Sequence, residues 1–186
     1  LAALAAQSRR AREAGASDAA DGLDRAIVAA NRAVERELAR TRAAASAGGD
    51  ANAQAVIGKL LQVIERTENG ARLTIENAVS AEPMPVSEDV LMEMAGPLLE
   101  NAAKFARQRI LVSGGGARLS IEDDGPGMSK ADAADALSRG KRLDEASEGH
   151  GLGLAIAHEL AQASGAAMTL GASALGGLKV ELAWRK

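Results

Sequence analysis

The spacing of the apolar residues changes once along the chain, and this change limits the architectures that are open to it. In residues 1–46, which contain no proline, apolar residues recur every three or four positions, as at Leu23, Ile27, Ala30, Val34 and Leu38. This spacing is typical of amphipathic helices. From residue 54 onwards, alternating segments and glycine turns are mixed with helical ones. The sequence therefore predicts a helical segment that is followed by an α/β domain.

The first 46 residues are predicted to form a helical hairpin, because EAGASDAADG interrupts the spacing. Each arm carries only a narrow apolar stripe. A second copy would bury both stripes in a four-helix bundle, so we favour a homodimer through this hairpin. Packing of the arms onto the rest of the chain is the alternative. Small residues make up most of the segment that follows, and residues 47–53 are predicted to be a linker.

Residues 54–186 are predicted to form an α/β sandwich, in which helices cover one face of a mixed or antiparallel sheet. One helix is expected to run to Asn69-Gly70, a second from the cap Ser87 to about Arg107, and a third from LGLAIAHELAQA to Gly165. Strands are predicted in ARLTIENA, on both sides of the glycine turn in RILVSGGGARLSIEDD, and on both sides of the turn in the final twenty residues.

The composition narrows the class of protein. Phe105 and Trp184 are the only Phe, Tyr or Trp residues, so we expect an aliphatic core of modest stability. A net charge of −3 gives no electrostatic signature of nucleic-acid binding, and the absence of cysteine excludes disulfides and thiolate metal sites. No apolar run approaches the roughly 20 residues that span a bilayer. The chain starts at Leu1 without a signal peptide pattern, so we expect a cytosolic piece of a longer protein.

Three segments carry side chains that are suited to ligand binding or catalysis. In LLENAAKFA, Asn101 and Lys104 share a helix face, where an amide oxygen suits Mg²⁺ and a lysine suits phosphate; a solvated polar face is the alternative. In LSIEDDGPGM, Asp123 and Asp124 end a strand, where they would bind a metal, accept hydrogen bonds from a ligand amine or shape a turn. In EGHGLGLAIAHEL, glycines lead into a helix, which suits either a phosphate site or a plain linker.

In this order, the three segments resemble the ATP-binding domain of sensor histidine kinases. This domain has the Bergerat (GHKL) fold, shared with gyrase, Hsp90 and MutL, with three helices on a mixed sheet. The stretch from IEDDGPGM to AHELAQ looks closest to PhoQ-type kinases. The resemblance covers about residues 54–184, and the hairpin before it fits the family's dimerisation element.

The resemblance implies roles for matching positions. Asn101 would ligate the Mg²⁺ that bridges the ATP phosphates, Lys104 would contact the phosphates, and Phe105 would lie against the nucleotide. Asp123 would accept a hydrogen bond from the adenine amino group. Glu100 matches the acidic position that is thought to help deprotonate the acceptor histidine.

Glycines and lid residues complete the implied site. The implied catalytic set is Glu100, Lys104 and Arg139. The further nucleotide contacts would come from Gly125, Gly127, Arg139, Lys141, Arg142, Gly149, Gly151, Leu152, Gly153 and Leu154, with Gly176 and Gly177 near the final turn of the pocket.

The implied function is that of a histidine kinase core, on the cytoplasmic side of an inner-membrane sensor. It would bind Mg-ATP, phosphorylate a histidine of its own dimer and pass the phosphoryl group to an aspartate of a response regulator. The alternatives are a nucleotide-binding pseudokinase or dimeric scaffold, and an anti-sigma-type serine kinase, which lacks such a hairpin.

Three departures from the family pattern stand out. Pro97 replaces an Asn four residues before Asn101, which removes a polar ligand, and we expect it to kink the helix. The usual phenylalanine of the lid is either replaced by Leu137 or lost within DAADALSRG. Neither His150 nor His158 is in the acceptor position, so we expect the acceptor immediately upstream of this chain.

Overall fold

The computed structural model describes residues 49–138 and 152–185 without interruption, together with isolated positions between residues 7 and 41. The chain divides into two compact units, Leu1–Ala39 and Arg40–Lys186. In the first unit, the described positions other than Ala16 are helical, and Arg12 and Asp21 form an ion pair of 2.8 Å. Residues 18–22 are helical although they lie within the predicted interruption EAGASDAADG, so the predicted hairpin is supported only in part. Their pairing with a second copy and the predicted domain boundaries remain predictions.

The second unit is built on a mixed sheet. Its described strands are β1 (Thr74–Val79), β2 (Arg109–Gly115), β3 (Arg118–Asp123), β4 (Ala166–Ala172) and β5 (Leu178–Trp184), in the spatial order β1-β2-β3-β5-β4. β1 runs parallel to β2, and the remaining neighbours are antiparallel. The predicted mixed sheet is therefore confirmed.

The helices described in this unit are α1 (Ala53–Ile64), α2 (Glu88–Phe105), α3 (Lys130–Ser138) and α4 (Leu152–Ala163). Three of them were predicted, whereas α3 was not. The predicted cap is present, since the Ser87 hydroxyl accepts a hydrogen bond from the N–H group of Val90. Within the described ranges, every helix is too short or too polar to span a bilayer.

α1 ends at Ile64, several residues before the predicted Asn69-Gly70. The Thr67 hydroxyl donates to the carbonyl oxygen of Ile64 and accepts from the N–H group of Gly70, which turns the chain back on the helix end. A Cβ atom at Gly70 would collide with the Ile64 carbonyl oxygen. The glycine is therefore needed for this close approach rather than as a helix cap.

α2 is the central helix of the core. It contacts α1, α4 and β3, and its buried residues are Val90, Leu91, Met94, Ala95, Leu98, Leu99, Ala102 and Ala103. On β5, side chains alternate between buried residues and the partly exposed Lys179 and Glu181, so the helices cover one face of the sheet. On the other face of the sheet, Ser120 lies opposite Glu181, and Glu122 lies opposite Lys179.

Leu99→Ala should lower the free energy of unfolding by about 2–5 kcal/mol, because it leaves a cavity beneath a fully buried side chain. Met92→Ala on the same helix is the matched control, since Met92 is 37% exposed. We expect this control to stay within about 0.5 kcal/mol of the parent. Urea unfolding of both variants measures the difference, and equal losses would contradict the assigned packing of α2.

Candidate nucleotide-binding site

α2 brings the three segments of interest together. In the first turn of α4, Gly153 lies against Pro97, so that a Cβ atom at Gly153 would be 3.1 Å from the Cβ atom of Pro97. About two turns further along α2, Gly125 lies against Phe105, and a Cβ atom at Gly125 would be 2.6 Å from the Phe105 carbonyl oxygen. These contacts are about 12 Å apart along the helix, with Asn101 midway between them.

Asp123 is a buried carboxylate at the end of β3, with 3% of its surface exposed. Its Oδ1 atom accepts hydrogen bonds from the N–H groups of Gly125 (2.8 Å) and Leu178 (3.1 Å). Burial raises the pKa of Asp123 above its ordinary value of 3.8, although the two N–H groups act in the opposite direction. No residue in the described ranges donates to Oδ2, so this oxygen remains an acceptor for a ligand.

Asp124 has a different environment from its neighbour. Its Oδ1 atom accepts hydrogen bonds from the N–H groups of Arg107 (2.8 Å) and Gln108 (3.0 Å), which connect α2 to β2. Burial alone would raise the pKa of Asp124, but the backbone hydrogen bonds outweigh it and lower this pKa. Of the roles that the sequence left open for the pair, Asp124 therefore shapes the chain, whereas Asp123 keeps an oxygen for a ligand.

Gly177 supports Asp123 from the turn between β4 and β5. Its N–H group donates to the main-chain oxygen of Asp123 (3.1 Å). A Cβ atom at Gly177 would collide with Oδ1 of Asp123 and with the nitrogen of Gly125. Gly127, with φ of +71°, lies against the carbonyl group of Gly177. The family resemblance implied a place for Gly177 near the pocket, whereas its contact with Asp123 is visible only in the tertiary structure.

The polar residues of α2 lie where the sequence placed them. Glu100 is exposed and Asn101 is partly exposed, one turn before the helix ends at Phe105. The ammonium group of Lys104 lies 5.4 Å from the centre of the Phe105 ring.

The surroundings of Asn101 suit a Mg²⁺ ligand. The described residues offer its side-chain amide no hydrogen bond, which leaves the amide oxygen available, and they contain no cluster of three or more His, Asp or Glu residues. Mg²⁺ is commonly held by one or two protein oxygens together with phosphates. The residues present fit a Mg²⁺ ion that arrives with a phosphate ligand.

Most residues implied for the lid, namely Arg139, Lys141, Arg142, Gly149 and Gly151, lie outside the described residues, and so does His150. Their roles remain predictions.

α4 begins immediately after the implied lid. Leu152, Gly153 and Leu154 form its first turn, whose N–H groups have no acceptor within the helix. Leu154 is buried, so only its backbone is suited to a ligand contact.

Pro97 has a role that the sequence did not predict. α2 continues from Glu88 to Phe105 with Pro97 inside it, and the proline ring lies against Gly153 at the start of α4. The residue that replaces the expected amide therefore packs against the first turn of α4. Leu137, at the end of α3, is partly exposed, and the ring of His158 lies 3.2 Å from the Gln162 amide nitrogen on α4.

Residues 86–186 match the family described as histidine kinase-, DNA gyrase B-, and HSP90-like ATPase. This match covers more than half of the chain, so the chain belongs to this family. The family and the fold class inferred from the sequence are thereby confirmed.

Curated relatives are sensor kinases. The chain is 44% identical over 103 residues to the sensor protein kinase CarS of Pseudomonas aeruginosa, which covers 53% of this chain and 23% of CarS. It is 31% identical over 127 residues to the two-component sensor PhoQ of the same organism, covering 66% of this chain and 28% of PhoQ. The chain thus spans about a quarter of the length of these relatives.

Solved structures share the fold. The Acinetobacter baumannii histidine kinase AdeS aligns with a TM-score of 0.60 over 99% of this chain and 95% of that one, at 16% identity. The ATP-binding domain of PrrB from Mycobacterium tuberculosis aligns with a TM-score of 0.57 over 73% of this chain and 96% of that one, at 18% identity.

The two adjacent carboxylates should give opposite dependences of stability on pH. The raised pKa of Asp123 means that its contribution to stability is present below pH 3.8 and is lost as the pH rises through the folded-state value. The lowered pKa of Asp124 means that its contribution is present above pH 3.8 and is lost as the pH falls through the folded-state value.

Urea unfolding of Asp123→Asn and Asp124→Asn at a series of pH values tests this expectation. Relative to the parent, Asp123→Asn should gain stability as the pH rises, whereas Asp124→Asn should lose it. Differences that change in the same direction for both variants would show that the two environments are wrongly assigned.

Proposed function

We propose that this chain is the dimerisation and ATP-binding core of a two-component histidine kinase. It binds Mg-ATP, transfers the γ-phosphoryl group to a histidine of its own dimer and relays it to an aspartate of a response regulator. The observation that carries the proposal is the arrangement along α2. A buried carboxylate with one free oxygen lies near the end of α2 at Phe105, Asn101 lies one turn earlier, and the first turn of α4 lies against Pro97, a further turn earlier.

Asp123 is suited to read adenine. Its Oδ1 atom is occupied by two N–H groups, so the free Oδ2 atom is the acceptor for the amino group of the base. An unpaired acceptor in such a buried position is costly, which disfavours purines without this amino group. The lack of side chains at Gly125 and Gly127 gives the flat ring room beside the backbone.

The remaining groups are suited to the phosphates. Lys104 supplies positive charge, and the first turn of α4 supplies free N–H groups and the positive end of the helix dipole. In this proposal Arg139, Lys141 and Arg142 of the lid add further positive charge. Asn101 would hold Mg²⁺, which neutralises phosphate charge when bound. Phosphoryl transfer depends mainly on such charge neutralisation and alignment, so these groups account for the chemistry.

Glu100 is the proposed base. It is exposed, next to Asn101 and one helical turn before Lys104, where it would accept a proton from an incoming histidine. The acceptor histidine, the response regulator and the position at the cytoplasmic face of an inner membrane are proposed from the family. Sensor kinases are named among the relatives. Residues 1–46 are proposed as the dimer contact.

Asp123→Asn should weaken Mg-ATP binding about 10- to 100-fold. Because the backbone N–H groups of Gly125 and Leu178 need the amide oxygen, the NH₂ group of the new side chain would face the amino group of adenine. Calorimetric titration with Mg-ATP measures the change. Asp89→Asn, an exposed carboxylate on α2, should bind like the parent. Unchanged affinity in Asp123→Asn would refute the assignment of the adenine site.

Phosphoryl transfer can be tested with the acceptor supplied separately. The chain is incubated with Mg-ATP and a dimerisation helix of the family that carries the acceptor histidine, and acid-labile phosphate on that helix is measured. Glu100→Gln should bind Mg-ATP like the parent but transfer about 10²–10⁴-fold more slowly, as expected for loss of a general base. Glu88→Gln on the same helix is the control. Binding without any transfer by the parent would favour the dimeric scaffold.

A further inference from the structure

Glu122 is a buried carboxylate that the proposed kinase mechanism does not use. It precedes Asp123 on β3, only 8% of its surface is exposed, and its side chain lies on the sheet face opposite the helices. Its Oε2 atom accepts hydrogen bonds from the hydroxyl group of Ser173 (3.1 Å) and from the N–H group of Ala174 (3.1 Å). Both donors belong to the turn between β4 and β5.

The outer carboxylate oxygen has weaker partners. Oε1 lies 3.4 Å from the Ser120 hydroxyl and 3.8 Å from the ammonium group of Lys179. Lys179 also lies 3.5 Å from Glu181, so its charge is shared between two carboxylates. The short, well-directed contacts of Glu122 are therefore those to the turn.

Residues 173–177 form a closed turn around Ser173. The N–H group of Ser173 donates to the Gly177 carbonyl (2.9 Å), and the N–H group of Gly176 donates to the Ser173 carbonyl (3.0 Å). The Ser173 hydroxyl also accepts from the N–H group of Leu175 (2.9 Å). A group that fixes the position of Ser173 therefore also fixes the conformation of residues 173–177.

The other end of the turn supports Asp123. The N–H group of Gly177 donates to the main-chain oxygen of Asp123, and the N–H group of Leu178 donates to its Oδ1 atom, both at 3.1 Å. Glu122 and Asp123, which are consecutive on β3, thus accept hydrogen bonds from the two ends of one turn. Glu122 holds the beginning from one face of the sheet, and Asp123 accepts from the end.

We propose that Glu122 is a positioning residue for base recognition, which acts through the 173–177 turn on the carboxylate of Asp123. The effect of Glu122 on base recognition rests on the proposed function, but its effect on the 173–177 turn does not. The acceptor oxygen of Glu122, rather than its charge, is the property that holds the turn.

Three variants separate the acceptor from the charge. Glu122→Met keeps the length of the side chain but leaves Ser173 and Ala174 without an acceptor. Glu122→Gln keeps one oxygen for these donors and turns its NH₂ group towards Ser120. Glu181→Met is the matched control, because Glu181 lies on the same face and its partners in the described chain are Arg118 and Lys179.

Binding of ATP is compared with binding of inosine triphosphate, whose base has an oxo group where adenine has the amino group. Glu122→Met should weaken ATP binding about tenfold and leave inosine triphosphate within about twofold, so the preference for ATP falls. Glu122→Gln and Glu181→Met should keep the preference of the parent. Equal losses for both nucleotides, or a preference unchanged in Glu122→Met, would overturn the proposal.

Amide hydrogen exchange without nucleotide provides the second readout. The Leu178 N–H group should lose about tenfold or more of its protection in Glu122→Met, but not in Glu181→Met or Glu122→Gln. Protection that is unchanged in Glu122→Met overturns the inference. If the parent binds no ATP, the proposed function fails, while exchange at Leu178 still decides whether Glu122 positions the turn. Ser173→Ala replaces Glu122→Met if that variant does not fold.

Discussion

Two adjacent carboxylates at the end of β3 hold the surrounding segments in register. Asp123 accepts N–H groups from the glycine segment that follows it and from the start of β5, whereas Asp124 accepts N–H groups from the connection between α2 and β2. Carboxylates suit this task because each oxygen accepts more than one hydrogen bond, and bonds to a charged acceptor are stronger than neutral ones. The end of α2, the sheet and the final turn are thereby fixed to one another.

The close packing around these two carboxylates also explains why glycine is needed at the neighbouring positions. Gly125 lies against the last carbonyl of α2, and Gly177 lies against Asp123 so closely that a Cβ atom at either position would collide with its neighbours. At the far end of the site, Gly153 allows α4 to approach Pro97. The main chain at Gly125 and Gly153 therefore approaches α2 more closely than a residue with a side chain would allow.

Periodicity was sufficient to predict most of the second unit. Three helices, the strands and the cap at Ser87 follow from local patterns that the packing did not override. α3 was not predicted because its sequence, KADAADALS, lacks a clear apolar stripe at helical spacing. The end of α1 was predicted too late because the hydroxyl group of Thr67 offers the backbone an alternative to further helix, an effect that apolar spacing does not report.

The sequence by itself determined the class of protein, since the order of the three segments identified the family, and the resemblance implied Asp123 as a ligand group. It also determined where α2 begins. Only the tertiary structure decided which hydrogen bonds each of the neighbouring carboxylates accepts. Asp123 and Asp124 are equivalent in the sequence, yet one keeps a free oxygen and the other does not, because their hydrogen-bond donors come from segments up to 55 residues away. The same holds for Glu122, whose partners lie 51 and 52 residues further along the chain. Contacts of this range depend on the order of strands in the sheet, which no local pattern encodes.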